Sequence, residues 1–347
     1  MDASKPLEIL KLVFGRDADG RLGVQSASPL TLARADPGDD SFFRVEDGVF
    51  VSKPRYASTI LSELGHSIVP LVAMVPGERA MRCLGTGFFV SATGLLITAA
   101  HVVIDPIERS YGGVRRIGAR GWDFSALNLG VMVATNPLFQ PQGWTFRNIE
   151  WATLLATETD NPLPFGRRDL RLTTDTAICK VEPPLEDQPY QPLSIVQPGI
   201  RGVGLDVGKR AFAIGYGAMQ DVDLEEVNGS ISGDFKFDLH VATGRILERF
   251  PDNLTNQQVM TPGPCFSASL RLPPGMSGGP IFDDERIYVH GIVSSGLQDE
   301  NGPTNLGYGS MLASSMTLPV EQLNGKSMAD LLKEGGHGMP QLSIAGA

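Results

Sequence analysis

What most limits the fold is how apolar residues are parcelled out between Ser67 and Met316. They come in short runs, among them SIVPLVAMV, CLGTGFFVS, LLITAAHVV, GVMVAT, TAICKVE, RAFAIGYG, SASLRLP, GPIFD and HGIVSSG, at roughly ten-residue spacing. Each is bounded by turn-forming Gly, Pro, Asn or Asp, and the 40 glycines and 25 prolines outweigh the 7% of aromatic residues. Such a rhythm predicts many short antiparallel strands in a barrel or sandwich, and argues against a helical bundle. The stretch GTGFFVSATGLLITA predicts a hairpin by periodicity and by its Thr93-Gly94 turn.

Two segments break the rhythm. Residues 139–171 are rich in Pro, Asn, Thr and charge and read as a long loop. Residues 221–238 carry six acids against the single base Lys236 and read as a solvated acidic loop. Residues 1–64 read as an extension, with a hairpin from Leu7 to Gln25 around a DADG turn and a short helix near Ser58–Leu64. Residues 65–320 form the main domain, and 321–347 a C-terminal helix and tail, with Gly335-Gly336 as a stop signal.

The formal charge of −10 argues against a nucleic-acid partner, since phosphate binding needs clustered Lys and Arg. Cys83, Cys179 and Cys265 are an odd, widely spaced set that suggests a reducing compartment and no disulfide framework. The histidines form no ligand-spaced cluster, so no metal or cofactor is expected. The N-terminal segment lacks the basic and apolar regions of a secretory signal. No apolar stretch approaches the ~20 residues of a membrane span. The expectation is a cytoplasmic protein that does not contact membrane.

Three local patterns carry chemistry. In LPPGMSGGPIFD, Ser277 is flanked by Gly275 and by Gly278-Gly279. Glycines leave room for a carbonyl to approach a hydroxyl nucleophile and let the Gly275 and Ser277 amides converge on one point, as an oxyanion hole requires. In LITAAHVV, His101 follows an apolar strand and two alanines, a strand-end placement that leaves the ring free. In TDTAICKV, Asp175 opens a strand, which places its carboxylate at a rim. Alone, His101 reads as a core histidine and Asp175 as a turn aspartate; the combination with Ser277 changes both readings.

T-A-A-H, D-x-A-I and G-x-S-G-G-P, in the order His, Asp, Ser, resemble the signatures of trypsin-like serine peptidases, nearest the bacterial trypsin-like and HtrA-like branch. The likeness runs from about Ser67 to Leu318 and takes in G-T-G-F-F-V, A-I-G-Y-G and H-G-I-V-S-S-G. It implies two six-stranded antiparallel β-barrels of the chymotrypsin-like kind, with the active site between them. It also implies a His101–Asp175–Ser277 triad and an oxyanion hole from Gly275 and Ser277. Ser294 would bond Asp175, and Ser295 and Gly296 would pair with a protein or peptide substrate. Arg271 falls where the resemblance puts the floor of the primary specificity pocket, and would there favour acidic side chains. Alternation through SLRLPP instead places Arg271 on the surface, with small or apolar substrate residues at least as well suited. Met276 stands where zymogen-activated members have an aspartate, so activation by a freed N-terminus is not expected, and a regulatory protein partner is left open. A protease-fold scaffold with little turnover, and a triad hydrolase acting on esters, are the alternatives.

Overall fold

The computed structural model describes residues 8–16, 22–31 and, with interruptions in connecting segments, 67–330; the longest interruptions are 136–142, 160–168, 196–204 and 251–260. In the first half, strands β1 (Glu8–Arg16), β2 (Leu22–Thr31), β3 (Ile68–Met74), β4 (Ala80–Phe89) and β5 (Leu95–Thr98) precede helix α1 (Ala100–Glu108). Then come β6 (Arg115–Ile117), β7 (Gly121–Asp123), β8 (Asn128–Thr135), β9 (Gly143–Thr159) and β10 (Asp169–Val181). The second half contains β11 (Arg210–Gly217), β12 (Val222–Asp223), β13 (Glu225–Val227), β14 (Ser230–Phe250), β15 (Cys265–Ala268) and β16 (Pro280–Asp283). It closes with β17 (Val289–Asp299), β18 (Gly302–Met311) and the single-turn helix α2 (Leu312–Ser315).

The antiparallel pairings close two rings. The first runs β3–β4–β5–β10–β9–β8 and back to β3. The second runs β11–β16–β17–β18–β15–β14 and back to β11. The fold is therefore two six-stranded antiparallel β-barrels, as the resemblance implies, and closure leaves neither ring an edge to protect. Leu71, Phe88, Leu96, Ile97, Val131 and Ile178 fill the first barrel, whereas smaller Ala211, Ala213, Ala242 and Ala268 with Phe266 and Ile281 fill the second. The β4–β5 hairpin forms as expected, with Gly94 at φ +100° and the Ser91 hydroxyl capping the turn amides of Thr93 and Leu95.

Both segments read as loops are instead largely strands. Residues 143–159 are β9 and residues 169–171 begin β10; Phe146, Ile149, Ala152 and Leu154 of β9 turn into the core. The polar residues mask a pattern whose Trp, Phe and Thr content suits a half-buried strand. The acidic segment 221–238 forms β12, β13 and the start of β14. Asp221, Asp223 and Glu225 are exposed and alternate with Val222 and Leu224, which are buried, so here the charge faces solvent while the apolar side chains turn inward.

The expected N-terminal hairpin is present as β1 and β2, extending to Thr31, and β1 pairs with the first half of β14 (Glu8 opposite Phe237). The helix expected at 58–64 and the last ten residues lie outside the described residues. The expected C-terminal helix is broken: residues 321–323 form a 3-10 turn, ended by Asn324 and Gly325 at φ 57° and 73°. Ser327 then caps a new helical start, exchanging hydrogen bonds with Asp330.

Candidate active site

Strand register brings His101 and Asp175 together. Thr98, the last residue of β5, pairs with Ala177 of β10, so in antiparallel register the chain after Thr98 runs past the residues before Ala177. Here β10 breaks its ladder with β9 between Leu172 and Ala177, which releases Thr174–Thr176 from strand pairing. Helix α1 starts at the same point and holds His101 at its first turn. The His101 amide donates to Asp175 Oδ1 at 3.0 Å, and His101 Nδ1 lies 2.8 Å from Asp175 Oδ2. The Ser294 hydroxyl donates to Asp175 Oδ2, as the resemblance implies. The Asp175 amide in turn donates to the Ser310 hydroxyl at 3.2 Å.

The Asp175 side chain is only 3% exposed, whereas that of His101 is 46% exposed. Burial alone would raise the carboxyl pKa, but the imidazole charge and the hydrogen bonds from His101 and Ser294 outweigh it and hold Asp175 below the usual carboxylate range. For His101, burial opposes protonation, yet the hydrogen bond and charge of Asp175, with a smaller contribution from Asp105, raise its pKa above the ordinary imidazole value. Asp175 can thus stay ionised while fixing the imidazole through Nδ1.

Ser277 sits in a turn that the second barrel presents to this pair. Gly275 and Gly278 have φ +97° and +88°, where a β-carbon is strained. At Gly278 a β-carbon would also fall 2.1 Å from the Thr86 carbonyl oxygen. The Met276 amide donates to Pro273 O, the Gly278 amide to Val293 O and the Gly279 amide to Met276 O. Among the described residues, the Gly275 and Ser277 amides have no protein acceptor, and they are the two assigned to the oxyanion hole. The Ser277 hydroxyl donates to the Ser294 carbonyl at 3.3 Å and makes no hydrogen bond to the imidazole. Catalytic hydrogen bonds are often long before substrate binds, so this placement is compatible with a resting nucleophile.

Thr86 was not singled out in the sequence, although it lies within the G-T-G-F-F-V run. Its amide donates to Ser277 O at 2.8 Å, its hydroxyl donates to Gly275 O at 2.8 Å, and that hydroxyl accepts from the Tyr216 amide. Its own carbonyl accepts from the Thr98 hydroxyl. One threonine of the first barrel thus fastens the Ser277 turn of the second. Gly85 beside it is bare because a β-carbon there would strike Ser277 O and Val102. Met276 is fully buried in the second barrel's core, which anchors the turn from its other side.

Of the substrate-side residues, Ser295 and Gly296 lie on β17, paired on one side with Tyr308 and Gly307 of β18. β17 pairs with β16 only as far as Ile292, so residues 294–296 carry no strand on their other edge among the described residues. Arg271 is exposed, and its neighbours Leu270 and Leu272 are buried. Among the described residues no group of three or more His, Cys, Asp or Glu could hold a metal ion.

Residues 85–292 match the sequence model of the trypsin-like peptidase domain, more than half of the chain. No curated protein matches. Similar solved structures include an HtrA-type protease, AlgW, with a decapeptide (16% identity, TM-score 0.42), covering 75% of this chain and 65% of that one, so the chain spans just under two thirds of AlgW. Deg5 (13% identity, TM-score 0.44) covers 79% of this chain and 99% of its own. The active form of the Rv3671c protease from M. tuberculosis (18% identity, TM-score 0.41) covers 78% and 84%.

Proposed function

The chain belongs to the trypsin-like peptidase family, and on that premise we propose that it is a serine endopeptidase acting through an acyl-enzyme. Ser277 Oγ attacks the scissile carbonyl carbon while His101 accepts its proton. The tetrahedral intermediate collapses as His101 returns that proton to the leaving amine. Water then repeats the sequence on the ester, restoring Ser277 and releasing the acid product. Asp175 keeps the imidazole in the tautomer with Nδ1 protonated and stabilises the imidazolium.

The observation that carries this reading is the convergence of a hydrogen-bonded Asp175–His101 pair, the Ser277 hydroxyl and the two unpaired amides of Gly275 and Ser277. Gly275 and Ser277 are part-exposed, so their amides are open to an acceptor from the cleft, and the oxyanion that develops beside Ser277 is the acceptor that suits them. One such donor contributes about 3–4 kcal/mol in comparable sites. The open edge of Ser294–Gly296 suits an extended peptide added as a strand, which favours peptides over simple esters. With Met276 held in the core, the nucleophile turn needs no ion pair with a newly made amine.

A fluorophosphonate should label Ser277 covalently, and the protein should cleave members of a peptide library. Ser277→Ala should abolish both while leaving the fold intact. Labelling that persists in that variant, or a wild type that neither labels nor cleaves, would overturn the assignment.

A further inference from the structure

At Asp175 the strand that carries the carboxylate has no neighbour beside it. β10 pairs with β9 as far as Leu172 and again from Ala177, and it pairs with β5 only from Ala177 onward. Thr174, Asp175 and Thr176 lie between, extended, buried and outside both ladders. Successive side chains of an extended chain point to opposite faces, so with the carboxylate turned to His101 the two threonines turn the other way. There they meet Ser315, the last residue of α2. Ser315 Oγ lies 3.1 Å from Thr174 Oγ1 and 3.1 Å from Thr176 Oγ1, and the threonine oxygens are 3.2 Å apart. All three residues are at most 1% exposed. Hydroxyls at such mutual distances can close a ring in which each donates once and accepts once, so that no buried O–H is left over. Leu312 and Met316 beside Ser315 are buried too, so the third member of the ring stands on a packed element.

We infer that Ser315, Thr174 and Thr176 are positioning residues whose hydroxyl ring fixes the backbone on both sides of Asp175 and so aims its carboxylate at His101 Nδ1. The inference rests on the peptidase reading for what that aim serves. Packing alone does not call for the ring, because apolar groups of the same shape in place of hydrogen-bonded partners can be nearly neutral in stability. What the hydroxyls add is direction, since hydrogen bonds weaken steeply off axis whereas apolar burial has no preferred orientation. The ring completes a set of contacts from the end of the second barrel: Ser294 holds the carboxylate, Ser310 takes the Asp175 amide, and Ser315 holds the residues before and after it.

The test compares Thr176→Val, which keeps the shape of the side chain and breaks the ring, with Thr176→Ser, which keeps the hydroxyl and gives up a methyl. Both should lose stability, so thermal melts do not separate them and placement does. With active sites counted by fluorophosphonate titration, kcat for a peptide should fall about tenfold in Thr176→Val with KM little changed, given that a misplacement of about 1 Å costs about 100-fold. Thr176→Ser should keep most of the wild-type kcat. Thr174→Val breaks the same ring and carries the comparison should Thr176→Val fail to fold. Equal kcat per active site in the valine and serine variants would overturn the inference. The NMR shift of the His101 Nδ1 nitrogen, measured in alkaline buffer where the ring is neutral, supplies a readout free of turnover. It should move toward the free-imidazole value in Thr176→Val and stay near wild type in Thr176→Ser. A shift that stays in both variants, or moves equally in both, overturns the inference. If wild type neither labels nor cleaves while the shift moves in the valine variant alone, the ring stands and only the peptidase reading falls.

Discussion

On the first-barrel side of the cleft the polar atoms of Asp175 have partners: both carboxylate oxygens and the amide are hydrogen-bonded, to His101, Ser294 and Ser310. On the second-barrel side, the Gly275 and Ser277 amides have none among the described residues, and the turn that carries them depends on two glycines in the left-handed region. One side is built to hold an ionised group in a single orientation, so its unmet demands are few. On the proposed mechanism the other receives charge during reaction; its turn is secured from behind, by Thr86 and by the buried Met276. The difference teaches that the Ser277 turn is fastened from both barrels, by Thr86 of the first and by Met276 in the core of the second, and the predictions below test what the first barrel contributes.

The largest effect should come from the reacting groups. Ser277→Ala and His101→Ala should each lower kcat by about 10⁶-fold, and the double variant should be little worse, because groups acting as a unit are not additive. Matched thermal melts would show that the loss is chemical. A double variant markedly worse than either single one would mean that the two sides act independently.

Asp175→Asn should lower kcat by ~10⁴-fold by destabilising the required imidazole tautomer. It also changes the pH profile in a known direction. His101 must be neutral to accept a proton, so activity falls as pH drops through its pKa, which Asp175 holds above the ordinary ~6.5. Removing the carboxylate leaves burial, which lowers that pKa, so the acid limb of kcat/KM should move to lower pH. An acid limb that stays in place would show that Asp175 does not set the charge of His101.

On the other side, Gly278→Ala should cost on the order of 3 kcal/mol of stability or more, from a left-handed φ plus a clash with the Thr86 carbonyl. Denaturant unfolding would read it. Thr86→Val keeps the shape of the side chain but strands the Gly275 carbonyl and the Tyr216 amide, at about 2 kcal/mol. If roughly 1.4 kcal/mol of that loss reaches the transition state, kcat falls about tenfold with KM little changed. Unchanged kcat would mean that the turn holds its shape without the first barrel.

How much of this could be read in the sequence follows the same division. Ser277, Gly275 and His101 stand in short motifs whose chemistry is local, so their sites were legible. Asp175 was legible from order and strand context, since a strand register cannot be seen until Thr98 is known to pair with Ala177. Thr86 was not legible in its role, because the Gly275 carbonyl it holds is 189 residues away and nothing local distinguishes it from other strand threonines. Residues 139–171 and 221–238 were misread because polar residues on an exposed strand face resemble a loop in composition. Arg271 was left open between pocket and surface because Pro273 and Pro274 interrupt the alternation beyond it.

The smallest effect separates holding the carboxylate from holding the backbone behind it. Ser310 accepts from the Asp175 amide and does not touch the carboxylate. Ser310→Ala leaves a buried amide without its acceptor, which should cost about 1 kcal/mol of stability. The carboxylate keeps its bonds from His101 and Ser294, so the acid limb of the pH profile should stay where it is in wild type. Ser294→Ala removes a donor that favours the ionised carboxylate, and its effect should reach the limb through His101. A limb that moves in Ser310→Ala as far as in Ser294→Ala would show that the backbone position of Asp175, and not its hydrogen-bond count, tunes the imidazole.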